Sequence, residues 1–185
     1  MTEAVETVLE FWREAGPSLW FAHDEAFDEA VRERFLALYE TFTDNDHIRD
    51  HRHPWEATAD GALALTIVLD QFPRQIFRGT ARAFAADPLA LAVARRALDA
   101  GYDHLVAPDL RGFFYLPFMH SENLADQDRC VALYEALGNE EGLKYALIHR
   151  DCIARFGRFP HRNPMLGREM TPDEQAYLDG GGFKG

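Results

Sequence analysis

Two segments of the sequence carry a Phe-Pro step that is followed at once by basic and polar side chains. The first reads DQFPRQIFR over residues 70–78, and the second reads RFPHRN over residues 158–163. A guanidinium fork matches the oxygens of a carboxylate or a phosphate, and an amide adds an oriented hydrogen bond. We therefore predict a pocket for a small anionic metabolite, with these ligand-binding residues: Asp70, Arg74, Arg78, Arg158, Arg162 and Asn163.

Two histidines and one carboxylate near these segments are candidate catalytic residues. His161 belongs to the second segment, and His120 and Glu122 stand in the tripeptide HSE over residues 120–122. An imidazole exchanges protons near neutral pH, and a carboxylate can orient a histidine or fix an arginine rotamer. We predict no cofactor. Nothing in the sequence separates binding from catalysis, so enzymatic activity stays open.

The same charged side chains also have a purely structural interpretation. A Phe-Pro step ends a helix and leaves the carbonyls of the preceding turn without intrahelical partners. The basic residues that follow can donate to these carbonyls and pair with Asp70, Glu122 or Asp151. Charged networks are more often structural than catalytic, so this interpretation stands beside the pocket.

A metal site is the third interpretation of these residues. Its ligands would be His120, Glu122, His149 and His161. Side chains at i and i+2 diverge on a helix, so the HSE step can present both ligands together only in a loop. The arginines nearby repel a cation, and no cysteine joins the group. We therefore predict no metal.

Composition narrows the class of protein. The 185 residues carry a net charge of −12, which argues against a nucleic-acid partner because such proteins present a basic face. The stretch from Lys144 to Arg168 is the exception, with six basic residues and one acid. There is no apolar run near 18 residues and no secretory signal at the N-terminus, so we predict a cytoplasmic protein without a membrane partner. Nothing in the sequence indicates an oligomeric state.

Helical periodicity dominates the chain, and no segment alternates with the period of a strand. Residues 63–69 are apolar on every face, which predicts a central buried helix that breaks at Pro73. Gly138 and Gly157 are expected helix ends, and TPDE over residues 171–174 is a capping box. We predict one all-α domain over residues 1–185, built of layered antiparallel helical hairpins without a sheet, with a frayed tail over residues 180–185.

The polar stretch DNDHIRDHRHP over residues 44–54 contains three further histidines, His47, His51 and His53. Their spacing does not suit a pair on one helix face. We expect all three to be solvated in a loop.

Four long segments resemble the signature blocks of a bacterial family known as domain of unknown function 924. They are SLWFAHDEAFDEAVRERF (18–35), LDQFPRQIFRGTARAFAADP (69–88), FYLPFMHSENLADQ (114–127) and RFGRFPHRNPMLGREMTPDE (155–174). The resemblance implies an all-α fold similar to tetratricopeptide repeats, and it implies no particular reaction. Gln75 and Met170 depart from the pattern, which has Asn at the first position and usually a small polar residue at the second.

The resemblance also supplies the alternative function, an adaptor that binds a peptide or protein partner. Folds of the tetratricopeptide-repeat type often serve this role, which is an argument from fold analogy. The adaptor interpretation expects a buried, fully paired Arg/His cluster. The pocket interpretation requires that the two Phe-Pro segments meet.

Overall fold

Helices provide the regular structure of the computed structural model, which describes residues 2–43, 48 and 52–185. No strand occurs in these ranges, so the predicted all-α class is confirmed. Within the same ranges, no helix has the length and hydropathy that a bilayer crossing requires. We number the α-helices in chain order as α1 (Thr2–Ala15), α2 (Pro17–Trp20), α3 (Glu25–Thr43), α4 (Ala59–Asp70), α5 (Phe72–Ile76), α6 (Asp87–Asp99), α7 (Leu116–Met119), α8 (Leu124–Leu137), α9 (Glu140–Phe156) and α10 (Pro172–Asp179).

The chain divides into two compact units. Unit 1 comprises Met1–Arg78 and Arg82–Phe114, and unit 2 comprises Gly79–Ala81 and Tyr115–Gly185. The sequence predicted one domain over residues 1–185. Of the predicted site residues, three fall in unit 1 and the others in unit 2.

Helix α4 is the centre of unit 1. The side chain of Thr58 caps its first turn by accepting from the Gly61 N–H, and every residue from Gly61 to Asp70 is buried. Helices α1, α3 and α6 pack against it. The predicted break is also present, because α4 ends at Asp70 and Pro73 occupies the first turn of α5. A proline is tolerated there because it lacks only an N–H that would have no intrahelical acceptor.

Aromatic rings fill the space beside α4. Trp12 and Trp20 stack with centroids 6.1 Å apart, and the Trp20 indole donates to the Trp12 carbonyl at 2.6 Å. Trp12 also contacts Phe72 at 5.7 Å and Phe113 at 5.4 Å. Phe72 thus anchors the first Phe-Pro segment in the core of unit 1.

His53 is not the solvated loop residue that we expected. Its side chain accepts from the Trp55 N–H and caps the short 3-10 helix Pro54–Ala57, and its ring contacts Phe42 and Trp55 at 5.0 and 6.0 Å. Burial lowers the pKa of His53, although Glu56 acts in the opposite direction. The other two histidines of this stretch, His47 and His51, lie outside the described residues.

Helices α8 and α9 form a tight pair in unit 2. Gly138 ends α8 with φ of 70°, a left-handed conformation that favours glycine, and Asn139 caps α9 through the Gly142 N–H. A Cβ on Gly142 would overlap the ring of Tyr134, so this glycine lets the two helices approach closely. The predicted stop at Gly138 is confirmed.

The second Phe-Pro segment follows α9. Gly157, with φ of 67°, ends this helix as predicted, and Pro160 begins the 3-10 helix Pro160–Arg162. The predicted capping box is also present, since Thr171 and Glu174 cap α10 reciprocally. Beyond α10 the chain folds back, and Phe183 packs against the core group of Cys152, Ile153 and Phe159, where the sequence had predicted a frayed tail.

Candidate functional site

Arg74 of unit 1 is held by two carboxylates. Its guanidinium donates to Asp87 at 3.0 Å, to Asp70 at 3.4 Å and to the Ala83 carbonyl at 3.1 Å. Burial opposes the charge, but Asp87 and Asp70 outweigh it and raise the pKa of Arg74. Asp70 is fully buried and also accepts from the Gln71 side chain at 2.6 Å. These contacts position the first Phe-Pro segment.

Arg78 makes a bidentate ion pair within unit 1. Its two donors lie 2.6 and 2.7 Å from the carboxylate oxygens of Asp28, 50 residues earlier in the chain. The hydrogen bond to Asp28 raises the pKa of Arg78. Both unit 1 arginines that we predicted as ligand-binding residues are therefore paired with carboxylates of their own unit.

Glu122 lies at the centre of an ion-paired group in unit 2. Arg168 donates to its two carboxylate oxygens at 2.7 and 2.9 Å, and the Phe159 backbone N–H donates at 2.8 Å. Arg168 also donates to the Phe159 carbonyl at 3.2 Å and to the side-chain oxygen of Asn163 at 2.9 Å. Glu122 thus fixes the backbone of the second Phe-Pro segment both directly and through Arg168.

A second ion pair holds the start of α10. Arg158 donates to both oxygens of Glu174 at 2.6 and 2.8 Å, and Asn163 donates to the same carboxylate at 3.3 Å. The hydrogen bond from Arg158 lowers the pKa of Glu174 to about 2, and the contacts from Thr171 act in the same direction. Glu174 is therefore ionised at neutral pH and ties residues 158–163 to α10.

Three histidines and two phenylalanines, which we call the histidine cluster, gather beside these ion pairs: His120, His149, His161, Phe159 and Phe183. The rings of His120 and His149 have centroids 6.4 Å apart. Phe159 is fully buried, with His149 at 5.5 Å and His161 at 5.6 Å. Phe183 contacts His149 at 4.2 Å and His161 at 5.1 Å. The predicted catalytic histidines thus lie in one cluster.

Arg162 also lies beside Phe159. The residue is 6% exposed, and its guanidinium carbon lies 4.6 Å from the centroid of the Phe159 ring. A guanidinium over an aromatic face is attracted by the ring quadrupole. Burial by itself would raise the pKa of Glu122, but its charged partners lower it. Arg168 contributes the most to this lowering, and the Arg162 guanidinium adds a smaller part.

The pKa of His149 indicates which charges this region favours. Burial, together with the smaller effects of His120, Arg162 and His161, lowers this pKa to about 3, although the hydrogen bond to Tyr145 acts in the opposite direction. The Nδ1 of His149 lies 2.8 Å from the Tyr145 carbonyl, so the neutral ring donates there. His149 is uncharged at neutral pH, and the cluster disfavours any additional positive charge.

The predicted site residues therefore lie in both units of the chain. His120, Glu122, Arg158, His161, Arg162 and Asn163 share unit 2, whereas Asp70, Arg74 and Arg78 share unit 1. The meeting of both Phe-Pro segments at one pocket stays a prediction. In the described part of the chain, no group of three or more His, Cys, Asp or Glu side chains is placed to hold a metal ion.

Four residues of unit 2 were missed as contributors to the site. Arg168 stood in the basic run, but nothing in the spacing indicated Glu122 as its partner. Glu174 was assigned only to a capping box, and His149 was considered only as a metal ligand. Phe183 carried no signal, because it sits in a glycine-rich segment that resembles a disordered end.

Comparison with known proteins places this arrangement in a family. The model of the family described as bacterial protein of unknown function (DUF924) matches residues 8–182. A solved structure of a protein of unknown function from Agrobacterium tumefaciens is similar, with a TM-score of 0.89 and 44% identity over 97% of this chain and 98% of that one. No curated protein matches the chain. The chain therefore belongs to the bacterial family known as domain of unknown function 924.

Proposed function

We propose that unit 2 binds a small carboxylate or phosphate anion at the histidine cluster and Arg162. The single observation that carries this proposal is the arrangement around Phe159. Two imidazoles, His149 and His161, and one guanidinium, that of Arg162, all lie within 5.6 Å of its ring centroid. The Arg162 guanidinium is a donor and the His161 imidazole can donate, whereas the N–H of His149 is already used by the Tyr145 carbonyl. An oxyanion is a partner that the Arg162 and His161 donors share.

The electrostatics of the cluster support the same ligand class. Burial is the largest cause of the low pKa of His149, and the interactions with His120, Arg162 and His161 lower it in addition, so a further cation is disfavoured there. An anion reverses the sign of the interaction with these three groups, which partly offsets the cost of burying its charge. His120 and His161 are only partly buried, so part of the cluster is exposed to solvent.

We assign the remaining predicted ligand residues to the framework that holds the site. Arg158 is bonded to Glu174, Arg74 to Asp87 and Asp70, and Arg78 to Asp28. Releasing any of these arginines to a ligand would leave a carboxylate without its partner, which costs more than an ordinary hydrogen bond contributes. Glu122 likewise positions Phe159 and Arg168. The proposal covers binding and includes no reaction.

The experiment is a thermal-shift titration of the full chain with inorganic phosphate and with malonate. A ligand at one hundred times its Kd stabilises the folded protein by about 2.7 kcal/mol, which raises Tm measurably. Arg162→Met keeps an apolar chain over Phe159 but removes the charge, and His161→Gln removes the imidazole. We expect both variants to lose the anion-induced rise in Tm while their circular dichroism stays helical.

Arg150→Ala is the matched control, because this arginine is in the same unit and pairs on the surface with Asp128 and Asp151. It should keep the full anion-induced rise. Equal rises in Arg162→Met, His161→Gln and the wild type would contradict the proposal. If Arg162→Met fails to fold, His161→Gln alone decides the result.

A second candidate function is the peptide-binding adaptor, favoured by apolar side chains exposed on unit 1. Phe21 is 69% exposed and Leu105 is 70% exposed, so each offers apolar surface to a partner. The similarity to tetratricopeptide repeats supports this function by analogy alone. An absence of any anion-induced stabilisation, together with peptide binding that Phe21→Ser and Leu105→Ser abolish, would favour the adaptor.

A cytoplasmic location remains our expectation. Cys130 and Cys152 are both buried free thiols, and burial raises their pKa values to about 12 and about 11. Protonated, inaccessible thiols of this kind are typical of a reducing compartment. Localisation of a tagged full-length chain by cell fractionation tests the expectation.

A further inference from the structure

The last six residues of the chain, 180–185, which we call the tail, bring Phe183 into the histidine cluster. The Phe183 ring contacts His149 at 4.2 Å, meets His161 edge-on at 5.1 Å with an interplanar angle of 90°, and approaches Phe159 at 6.2 Å. The separations from His161 and Phe159 fall in the range that aromatic pairs prefer, and the separation from His149 is slightly shorter. The chain itself thus places an aromatic ring within the cluster.

The backbone before Phe183 is rich in glycine and turns sharply. Three consecutive glycines, residues 180–182, precede it, and Gly181 has φ of 85°. The Phe183 N–H donates to the Tyr177 hydroxyl at 2.9 Å, and a Cβ on Gly182 would overlap the Tyr177 ring. Glycine pays the largest entropy loss on ordering, so such a segment is held only weakly by its own backbone. Phe183 therefore supplies most of the tail's apolar contact with the cluster.

The tail turn also borders an open pocket. This pocket has a volume of about 380 Å³ and is lined by Arg155, Ala176, Tyr177 and glycines 180–182. The Arg155 guanidinium lies over the Phe156 and Tyr177 rings at 4.7 and 5.4 Å. The glycine turn of the tail therefore has open space beside it.

We propose that the ligand of the histidine cluster is a carboxylate that carries an aromatic ring, and that this ring takes the place of Phe183 when the tail moves away. The inference rests on the proposed function, since Arg162 and His161 supply the carboxylate partners. The place that Phe183 leaves is bordered by the imidazoles of His149 and His161 and the phenyl ring of Phe159. Such walls select an aromatic ring over an alkyl chain.

The tail and the ligand compete in this scheme. The apparent Kd of a ligand rises when only a fraction of the protein is in the binding-competent state, here the state with the tail displaced. Removing the Phe183 ring increases that fraction. The gain is specific for ligands whose ring uses the vacated space, because a small carboxylate does not need it.

The test measures binding of 3-phenylpropanoate and propanoate to the full chain by isothermal titration calorimetry. We expect Phe183→Ala to bind 3-phenylpropanoate about tenfold more tightly than the wild type, equivalent to about 1.4 kcal/mol. Its affinity for propanoate should stay within about twofold. Lys184→Ala is the matched control, because Lys184 is exposed in the same segment and the variant keeps the ring; it should bind both probes as the wild type does.

The outcomes separate this inference from the anion function on which it rests. Binding of propanoate that depends on Arg162, with no gain for 3-phenylpropanoate in Phe183→Ala, would overturn the inference and leave the anion function standing. Binding of 3-phenylpropan-1-ol by Phe183→Ala, with no binding of either carboxylate, would overturn the anion function while supporting displacement of the tail. An equal gain for both carboxylates would show that Phe183 hinders the binding of any carboxylate. That result would overturn the choice of an aromatic ligand.

Phe183→Leu gives a second readout. It keeps apolar bulk in the cluster but removes the ring, so its affinity for 3-phenylpropanoate should lie between those of the wild type and Phe183→Ala. Carbon-labelled histidine resonances provide a check that does not depend on affinity. We expect the His149 signal of the wild type to carry a ring-current shift from Phe183, 4.2 Å away, and we expect Phe183→Ala to lose this shift. An unchanged His149 signal would overturn the placement of the ring.

Discussion

Arg168 holds both carboxylate oxygens of Glu122, at 2.7 and 2.9 Å, although 46 residues separate the two in the chain. Burial by itself would raise the pKa of Glu122. The hydrogen bonds from Arg168 and from the Phe159 N–H outweigh burial, so the pKa is lowered and the carboxylate stays ionised. The pair joins the start of α8 to the chain before α10, and it sets the position of Phe159.

Glu122→Gln should lower the free energy of unfolding by about 2–3 kcal/mol. The amide keeps the shape of the side chain, but it leaves the partly buried Arg168 without an anion, and such a loss costs more than that of a neutral hydrogen bond. Urea denaturation followed by circular dichroism measures the change. Glu135→Gln, at an exposed position of α8, should change stability by less than about 0.5 kcal/mol.

A double-mutant cycle with Arg168→Met identifies the pair as the cause. The combined variant should be more stable than the sum of the two single losses predicts, by about 1–3 kcal/mol, because removing both partners leaves no uncompensated charge. Additive losses would show that the pair is not the source of the stability.

His149 should make the protein sensitive to mild acid. Its pKa of about 3 in the folded chain lies below the ordinary value of 6.5, because the ring is buried beside His120, Arg162 and His161. Between these two values the unfolded chain binds a proton that the folded chain does not. The contribution of His149 is therefore complete above pH 6.5 and is lost as the pH falls towards 3.

His149→Gln tests this effect. Between pH 6.5 and 4.5, before most carboxylates titrate, the wild type should lose up to about 1.4 kcal/mol per pH unit more than the variant. Urea denaturation at a series of pH values gives both slopes. Parallel slopes would contradict the assignment of a low pKa to His149.

Arg158→Ala should lower Tm and shift acid unfolding to higher pH. Arg158 is the main cause of the low pKa of Glu174, so without it that pKa rises from about 2 towards 4.5. The stability that the depressed pKa provides is present above pH 4.5 and is lost as the pH falls to 2, and the variant lacks most of it. A carboxyl titration by nuclear magnetic resonance measures the pKa directly.

The Arg158→Ala variant also tests whether Arg158 only holds the framework or binds the ligand as well. If Arg158 serves only Glu174, the stabilisation by phosphate or malonate in Arg158→Ala should equal that of the wild type. Arg150→Ala, whose side chain is 41% exposed, should leave both Tm and the Glu174 titration unchanged. If Arg158→Ala loses anion binding while Arg150→Ala keeps it, Arg158 is a ligand-binding residue after all.

Gly142→Ala should destabilise the pair of helices α8 and α9. Alanine ordinarily stabilises a helix relative to glycine by about 1 kcal/mol. Here the added Cβ would overlap the ring of Tyr134, and overpacking of this kind costs about 1–3 kcal/mol. Thermal unfolding of Gly142→Ala beside the neighbouring exposed Glu141→Ala measures the difference. A gain in Tm for Gly142→Ala would contradict the close approach.

Local signals made the helical framework predictable from sequence. Gly138 and Gly157 stop helices because only glycine adopts positive φ without cost, and Thr171 with Glu174 caps a helix over four residues. Information of this kind lies within one or two turns of chain. The buried helix before Pro73 was equally clear, since its residues are apolar on all faces.

Long-range pairing was not predictable in the same way. The basic residues after each Phe-Pro step were expected to pair with Asp70, Glu122 or Asp151. Arg74 does pair with Asp70, but the partner of Glu122 is Arg168, and Arg158 pairs with Glu174, which had only a capping role. Sequence periodicity contains no information on which arginine reaches which carboxylate across a turn of irregular chain. Phe183 was missed for a related reason, because its partners His149 and His161 lie on other elements.

The stacked indoles of Trp12 and Trp20 have a practical consequence. The three tryptophans of the protein, Trp12, Trp20 and Trp55, all belong to unit 1. Excitation at the red edge of indole absorbance selects tryptophan fluorescence. This fluorescence therefore follows the unfolding of unit 1 and does not detect local unfolding of α8, α9 and α10. A midpoint from emission that differs from the midpoint of the helical dichroism would show that the two units lose their structure in separate steps.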